Sequence, residues 1–278
     1  MKIAVIGKHG QLASCLKEVA DKELEITFYG RDSVDITVAD SYTPLKTADV
    51  IINCSAYTAV DKAEEYPEEA YAINRMGVIQ LVAFCERYQK KLVHFSTDFV
   101  FDGTSLIPYR EEDYTGPLSV YGASKLAGEE VILQSSLSAL VIRTSWLYSP
   151  YGHNFCKTML RLASQQSEIF VVADQIGTPT SGLDLARATF EIIEKGLPKS
   201  AQILHVASSG QCSWADFARE IFYQKSLKTL VTNTTASDFN APAKRPMYSV
   251  LHTEKLLFQY GIAMRPWKKS LSEVLSLI

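Results

Sequence analysis

The sequence is poor in cysteine and has no long apolar run, no surplus of basic charge and no repeat. Five cysteines (Cys15, Cys54, Cys85, Cys156 and Cys212) are spread over 278 residues. None forms a C-x-x-C pair, so neither a zinc site nor a disulfide framework is suggested. Scattered free thiols suit a reduced, cytoplasmic compartment. No stretch approaches the roughly 18 apolar residues that span a bilayer, and the apolar start Met1–Gly7 is too short for a secretory leader. Lysine and arginine number 28 against 31 aspartates and glutamates, a net charge of −3. Without a basic surplus, general nucleic-acid binding is excluded, and an anionic ligand has to be held by local groups.

What is present is alternation. Short β-branched runs at Ile3–Gly7, Glu25–Tyr29, Val50–Ser55, Leu92–Ser96, Leu140–Thr144, Ile169–Val172 and Ile203–Ala207 read as strands, most of them continuously apolar. That is the signature of strands covered on both faces. Helical patterns lie between them at Gln11–Ala20, Glu68–Tyr88, Leu118–Ser135, Phe155–Ser164 and Asp184–Lys195. The alternation predicts an α/β fold, a Rossmann-like doubly wound parallel sheet. After Ala207 the pattern changes. Ser213 reads as the N-cap of a helix with Asp216 completing a capping box, and a polar stretch, Thr232–Lys244, precedes two short helical patterns. The expected organisation is a dinucleotide-binding domain over 1–147 plus about 168–210. A smaller mixed α/β lobe over about 148–167 plus 211–278 takes the substrate.

Gly7-x-x-Gly10-x-x-Ala13 follows the first strand and opens a helix. Such a turn offers backbone N–H groups and the positive end of a helix to a pyrophosphate. Gly7 serves the tight turn, Gly10 the close approach, and Ala13 the helix–strand packing. The alternative is a plain tight turn. The second strand ends in Gly30-Arg31 where an NAD site would carry an acid, which favours the 2′-phosphate of NADPH over NADH; otherwise Arg31 is a solvated surface group beside Asp32. Asp35 and Ile36 follow.

Thr97 ends the fourth strand, and Tyr121 and Lys125 are four apart on a helix begun near Pro117 and Ser119. A phenol is a poor proton donor until a nearby ammonium lowers its pKa. The pair suits a general acid for a carbonyl becoming an alkoxide, and the Thr97 hydroxyl can donate a second hydrogen bond to that oxygen.

Longer motifs narrow the assignment. Asn53–Glu64 (NCSAYTAVDKAE), Ser96–Gly103 (STDFVFDG), Val120–Glu129 (VYGASKLAGE), Arg143–Tyr148 (RTSWLY), Asp174–Thr180 (DQIGTPT), Arg245-Pro246-x-x-Ser249 and Trp267 occur in order along nearly the whole chain. Together they resemble the dTDP-4-dehydrorhamnose reductases, of the extended short-chain dehydrogenase/reductase superfamily. The resemblance implies an NAD(P)H-dependent oxidoreductase. It would reduce the 4-keto group of dTDP-4-dehydro-β-L-rhamnose to dTDP-L-rhamnose, the last step in making that nucleotide sugar for polysaccharides. It implies Tyr121 as proton donor, Lys125 on the nicotinamide ribose and Thr97 on the reacting oxygen. It places Gly10, Gln11 and Leu12 at the pyrophosphate, Asp35 and Ile36 at the adenine, and Ser55, Ala56 and Thr58 along the ribose–phosphate side. Asp98, Phe99 and Trp146 would face the sugar, and Arg245 the diphosphate, for which a guanidinium is suited.

Plainer roles stand beside these: Trp146 as core, Asp98 as a loop cap, Asp61 and Lys62 as a local pair, Arg245 as a surface residue. No histidine is assigned to catalysis. Phe99 stands where many relatives carry tyrosine, so a hydroxyl contact would be missing. Some relatives bridge two subunits through magnesium held by helix carboxylates. The first such position here is Cys15, so no metal ligand is assigned, though a homodimer remains compatible. Two other readings compete: a different extended short-chain enzyme acting on a keto nucleotide sugar, and a non-catalytic dinucleotide-binding regulatory subunit.

Overall fold

The computed structural model describes residues 1–278. Strands β1 (Lys2–Ile6), β2 (Glu25–Tyr29), β3 (Val50–Asn53), β4 (Lys91–Thr97) and β5 (Ala139–Thr144) join a sixth, Gln202–His205, in one sheet. Across the sheet the order runs from Gln202–His205 through β5, β4, β3 and β1 to β2, and every pairing is parallel.

The continuous apolar runs have a direct cause. Ile3 and Val5 of β1, Val50 and Ile52 of β3, Val93 and Phe95 of β4, and Leu140 and Ile142 of β5 face one core. Their alternates Ala4, Ile6, Ile51, Leu92, Ala139 and Val141 face a second. Strand geometry sends successive side chains to opposite faces, so a sheet covered twice needs apolar residues at every position. Helices Gln11–Val19 (α1) and Gly182–Lys195 cover the first face; Gly77–Arg87 and Val120–Leu133 cover the second.

The strand order reverses between β1 and β3, and ligands of open α/β sheets collect beyond the carboxyl ends at such a point. Gly7 sits there with φ +93°. A Cβ on it would lie 2.9 Å from the Cys54 carbonyl carbon and 3.0 Å from the Ser55 nitrogen. The strand ends approach closely only because residue 7 has no side chain.

Three expectations change. The helix expected over Glu68–Tyr88 is broken into Pro67–Tyr71, a π-helical turn Ala72–Met76, and Gly77–Arg87. The expected strand Ile169–Val172 forms, as Glu168–Val172, but outside the main sheet. It pairs in parallel with Leu230–Thr234, partly within the stretch read as polar connection. The segment 168–210 is thereby divided between two sheets: Glu168–Val172 pairs outside the main one, and Gln202–His205 closes it. On Glu168–Val172, Ile169, Val171 and Val172 are buried while Phe170 is exposed, and Val231 alone is buried on the partner. Two further two-residue ladders pair Ile176–Gly177 with Cys212–Ser213 and Leu147–Tyr148 with Thr180–Ser181. The capping box at Ser213 and Asp216 forms as expected and starts helix Trp214–Gln224.

Candidate active site

Beyond the carboxyl ends of β1, β3, β4 and β5 lies one cavity of about 1090 Å³. Gly10, Gln11, Leu12, Ala56, Thr58, Thr97, Asp98, Phe99, Tyr121, Lys125, Trp146 and Arg245 all line it. Gly7, Arg31, Asp35, Ile36 and Ser55 do not.

At one end is the N-terminus of α1. Gly10 is its N-cap, with no side-chain cap and no acid in the first turn. The first N–H groups of a helix have no partner within it, so this end offers uncapped donors and partial positive charge. A dinucleotide pyrophosphate fits this cradle on backbone alone. The Gln11 side chain is already engaged, its Oε1 accepting from Ser149 Oγ and Asn154 Nδ2, both at 3.0 Å. Arg31 is exposed and donates to Asp35 at 2.8 Å; Asp35 also accepts from the Thr37 N–H and hydroxyl. Ile36 is buried in the second core, its carbonyl taken by the Tyr42 hydroxyl at 2.5 Å.

Helix Val120–Leu133 carries Tyr121 and Lys125. Ser119 caps it, accepting from the Gly122 N–H at 3.2 Å. Gly122 lets the helix pack against the Phe99 carbonyl, where a Cβ would clash. This seats Tyr121 beside Thr97 and edge-on to Phe99, with ring centres 5.6 Å apart. The residue replacing a tyrosine thus packs on the phenol.

The electrostatics depart from expectation. Burial pushes the Tyr121 phenol up to about 12, its hydrogen bond with Thr97 works the other way, and Asp98 raises it further. The expected lowering by Lys125 is not what this geometry produces. The lysine amine is turned to the Phe95 carbonyl, at 2.6 Å, and to His94 Nε2, at 3.3 Å. Tyr121 therefore stays a protonated donor at neutral pH. Asp98 is more than a loop cap. It is buried, accepts from Thr97 Oγ1 at 3.2 Å, and is pushed up to about 7 by burial, with Ser249 and Thr97 working the other way. Ser96 Oγ and Thr144 Oγ1 are buried at the cavity with no partner in the protein, as expected of groups that meet a ligand.

Trp146 lies at the opposite wall with φ +46°, uncommon outside glycine, and stacks face to face on Trp214, centroids 3.5 Å apart and planes 5° apart. Arg245 donates to both oxygens of Asp61, at 3.0 and 2.9 Å, and to the Ala243 carbonyl. Asp61 therefore pairs across the chain with Arg245 and not with its neighbour Lys62, which is exposed.

Four side chains with structural work at the site carried no local signal. Asn74, in the π turn, accepts from the Tyr57 N–H and donates to the Tyr57 carbonyl and Ser124 Oγ, tying the 55–58 loop to helix Val120–Leu133. Asn53 and His94 form a contact beneath Lys125. Trp214 backs Trp146. A π turn often marks a functional site, but nothing in the apolar pattern announces it. Cys15 is buried, and no cluster of metal-ligating side chains is present. No helix is long and apolar enough to cross a membrane.

Comparison with known proteins agrees with this geometry. The family model described as the RmlD substrate binding domain matches residues 1–278. A dTDP-4-dehydrorhamnose reductase from Sinorhizobium fredii (strain NBRC 101917 / NGR234) is 43% identical over 97% of this chain and 95% of its own. The crystal structure of a dTDP-4-dehydrorhamnose reductase from Clostridium acetobutylicum ATCC 824 superposes with a TM-score of 0.93 at 40% identity, covering 100% of this chain and 99% of that one. That of the Bacillus anthracis str. Ames enzyme in complex with NADP gives 0.95 at 35% identity, covering both chains in full. The chain belongs to this family.

Proposed function

We propose that this member of the dTDP-4-dehydrorhamnose reductase family reduces the 4-keto group of dTDP-4-dehydro-β-L-rhamnose to dTDP-L-rhamnose. One observation carries the reading: a single cavity runs from the uncapped α1 terminus, past Thr97 and Tyr121, to Trp146 and Arg245. It has room for a dinucleotide and a nucleotide sugar end to end. NADPH supplies the hydride; a relative is known in complex with NADP. The sheet side takes the dinucleotide and the smaller lobe the sugar nucleotide.

Gln11 and Leu12 hold the pyrophosphate through backbone N–H groups, Gly10 lets it approach the backbone while its own N–H donates to the Gly7 carbonyl, and Ala56 and Thr58 lie along its flank. Tyr121 gives its phenolic proton to the C4 oxygen as that oxygen gains charge. Burial keeps the proton on the phenol at neutral pH, and the transfer is driven by the far greater basicity of the forming alkoxide. Thr97 offers a hydroxyl to the same oxygen, which preorganised donors stabilise where water is excluded. Lys125 orients the ribose. Asp98, Phe99 and Trp146 shape the sugar pocket, and Arg245, held by Asp61, presents its guanidinium to the diphosphate.

The test follows NADPH absorbance with enzymatically made dTDP-4-dehydrorhamnose. Wild type consumes NADPH, and Tyr121→Phe loses at least about 10²-fold in kcat, the usual worth of a positioned acid, while still binding NADPH. Wild type that binds NADPH but leaves this sugar unreduced ends the substrate assignment.

A further inference from the structure

The Thr97 hydroxyl has more neighbours than it can serve at once. Its Oγ1 accepts from the Phe99 N–H at 3.2 Å, lies 3.2 Å from Asp98 Oδ1 and is hydrogen-bonded to the Tyr121 phenol. A hydroxyl offers two lone pairs and one hydrogen. The Phe99 N–H only donates, so it occupies one lone pair. One lone pair and one hydrogen remain, and their use follows the charge of Asp98. An ionised Asp98 only accepts, so it takes the hydrogen, and the phenol fills the last lone pair. Nothing is then left for a substrate oxygen. A neutral Asp98 can donate instead. It fills the last lone pair, and both the threonine hydrogen and the phenol hydrogen are released toward the cavity that the three side chains line.

The surroundings favour the neutral acid. Asp98 is almost fully buried, and its Oδ2 makes no well-formed hydrogen bond, with only the Ser249 hydroxyl beside it. An ionised oxygen in that position would bear the cost of desolvation with little in return. The end of β4 brings Thr97 to Asp98, the 248–251 segment brings Ser249, and helix Val120–Leu133 brings the neutral phenol of Tyr121. No charged side chain acts on the carboxyl. Burial brings its pKa up to about 7, against the hydrogen bonds of Ser249 and Thr97.

We propose that Asp98 is a positioning residue acting through Thr97: as the neutral acid it donates to Thr97 Oγ1 and frees the threonine's one hydrogen for the keto oxygen, and as the carboxylate it takes that hydrogen back. The acid proton stays on Asp98 throughout. Only Tyr121 gives one up, to the oxygen that receives charge when the hydride arrives. The working form of the site is thus the one with Asp98 protonated, and the Thr97 contact to the substrate is lost as pH rises through the pKa of this buried acid. The inference rests on Thr97 facing the reacting oxygen, as proposed above.

Its first test uses no substrate. The infrared difference between about pH 6 and about pH 9, a range in which ordinary carboxyls stay ionised, should show the C=O band of one protonated carboxyl, absent in Asp98→Asn. In Thr97→Val the band should persist and move to higher frequency, because the acid proton has lost its acceptor. No band, or a band that Thr97→Val leaves in place, overturns the proposal. The second test is the pH profile of kcat/KM. An acid of this pKa is about one-tenth protonated at about pH 8, so wild type should fall at least about tenfold between about pH 6 and about pH 8. In Asp98→Asn the amide nitrogen donates to Thr97 at every pH while its oxygen faces Ser249. Whatever the substitution costs at the acid end, the fall over that range should shrink to about twofold, the share left to Lys125, which burial brings down to about 8. Thr97→Val should flatten the profile in the same way, since Asp98 then has nothing to act through. A profile as steep in either variant as in wild type overturns the proposal. If Asp98→Asn does not fold or turns over too slowly to measure, the band and its response to Thr97→Val decide. A band that responds as expected in a protein that reduces no keto sugar supports the Asp98–Thr97 coupling and ends only the functional reading.

Discussion

The two walls of the cavity are built differently. One is the carboxyl edge of a sheet buried on both faces, with Thr97, Tyr121 and Lys125 on elements whose polar groups are held by Asn53, Asn74, Phe95 and Ser124. The other is a set of short ladders and small helices carrying Trp146, Trp214, Phe170, Phe239 and Arg245, and two of these aromatics, Phe170 and Phe239, are well exposed. Groups that move a proton need fixed geometry, which a doubly covered sheet supplies. Groups that recognise a large, flexible ligand need surface and tolerate movement.

The comparison breaks most visibly at the dry ion pair of the sheet wall. Arg143 and Glu129 are almost fully buried, 2.6 Å apart, with the guanidinium over the Phe101 ring. Glu129→Ala leaves a buried charge unpaired and should cost about 3–5 kcal/mol in urea unfolding. On the opposite wall, Trp214→Ala removes the support of Trp146. It should raise the KM for the sugar nucleotide about tenfold, since aromatic pairs are worth roughly 1.5 kcal/mol at most beyond area, while the KM for NADPH stays unchanged. Away from the cavity, where helix Gly182–Lys195 meets helix Trp267–Ser276, Glu273 accepts from Arg187 and Arg265. The Arg187 hydrogen bond is the main reason its pKa falls from 4.5 to about 2, with Arg265 adding to it and burial opposing. Its contribution is present above about 4.5 and is lost as pH falls toward 2. Glu273→Gln should cost about 1 kcal/mol at neutral pH and flatten the decline in Tm over that window. The smallest effect is at the outer edge, where Arg31 is exposed. Arg31→Ala should lower the NADPH-to-NADH preference in kcat/KM by no more than about fivefold.

The same contrast governs what could be read in advance. β1 to β5 were legible to within two residues at each end, in β1, β3 and β5 because both faces are buried and the runs nearly unbroken. The glycine turn was legible because Gly7 stands between an apolar strand and a helix start, although what crowds it, Cys54 and Ser55, comes from another strand end. The pair Glu168–Val172 and Leu230–Thr234 was half missed, because a strand with one buried valine among polar residues has no period to detect and its partner lies about 60 residues away. The two-residue ladders are shorter than any period. Tyr121 and Lys125 were singled out by spacing and Thr97 by its place at a strand end, and the structure brings all three to one cavity, but the orientation of the lysine amine depends on His94 and the Phe95 carbonyl, contacts some 30 residues distant. Asp61 was matched to the wrong cation for the same reason: its partner is 184 residues on.

The stacked indoles of Trp146 and Trp214 give the molecule an optical property of its own. Two chromophores in contact and nearly parallel share their electronic excitation, so their absorption and circular dichroism are those of a pair and not of two separate rings. The third tryptophan, Trp267, stacks on neither. Any ligand that parted the rings would uncouple their spectra, a change readable in the ultraviolet with no label attached and no turnover required.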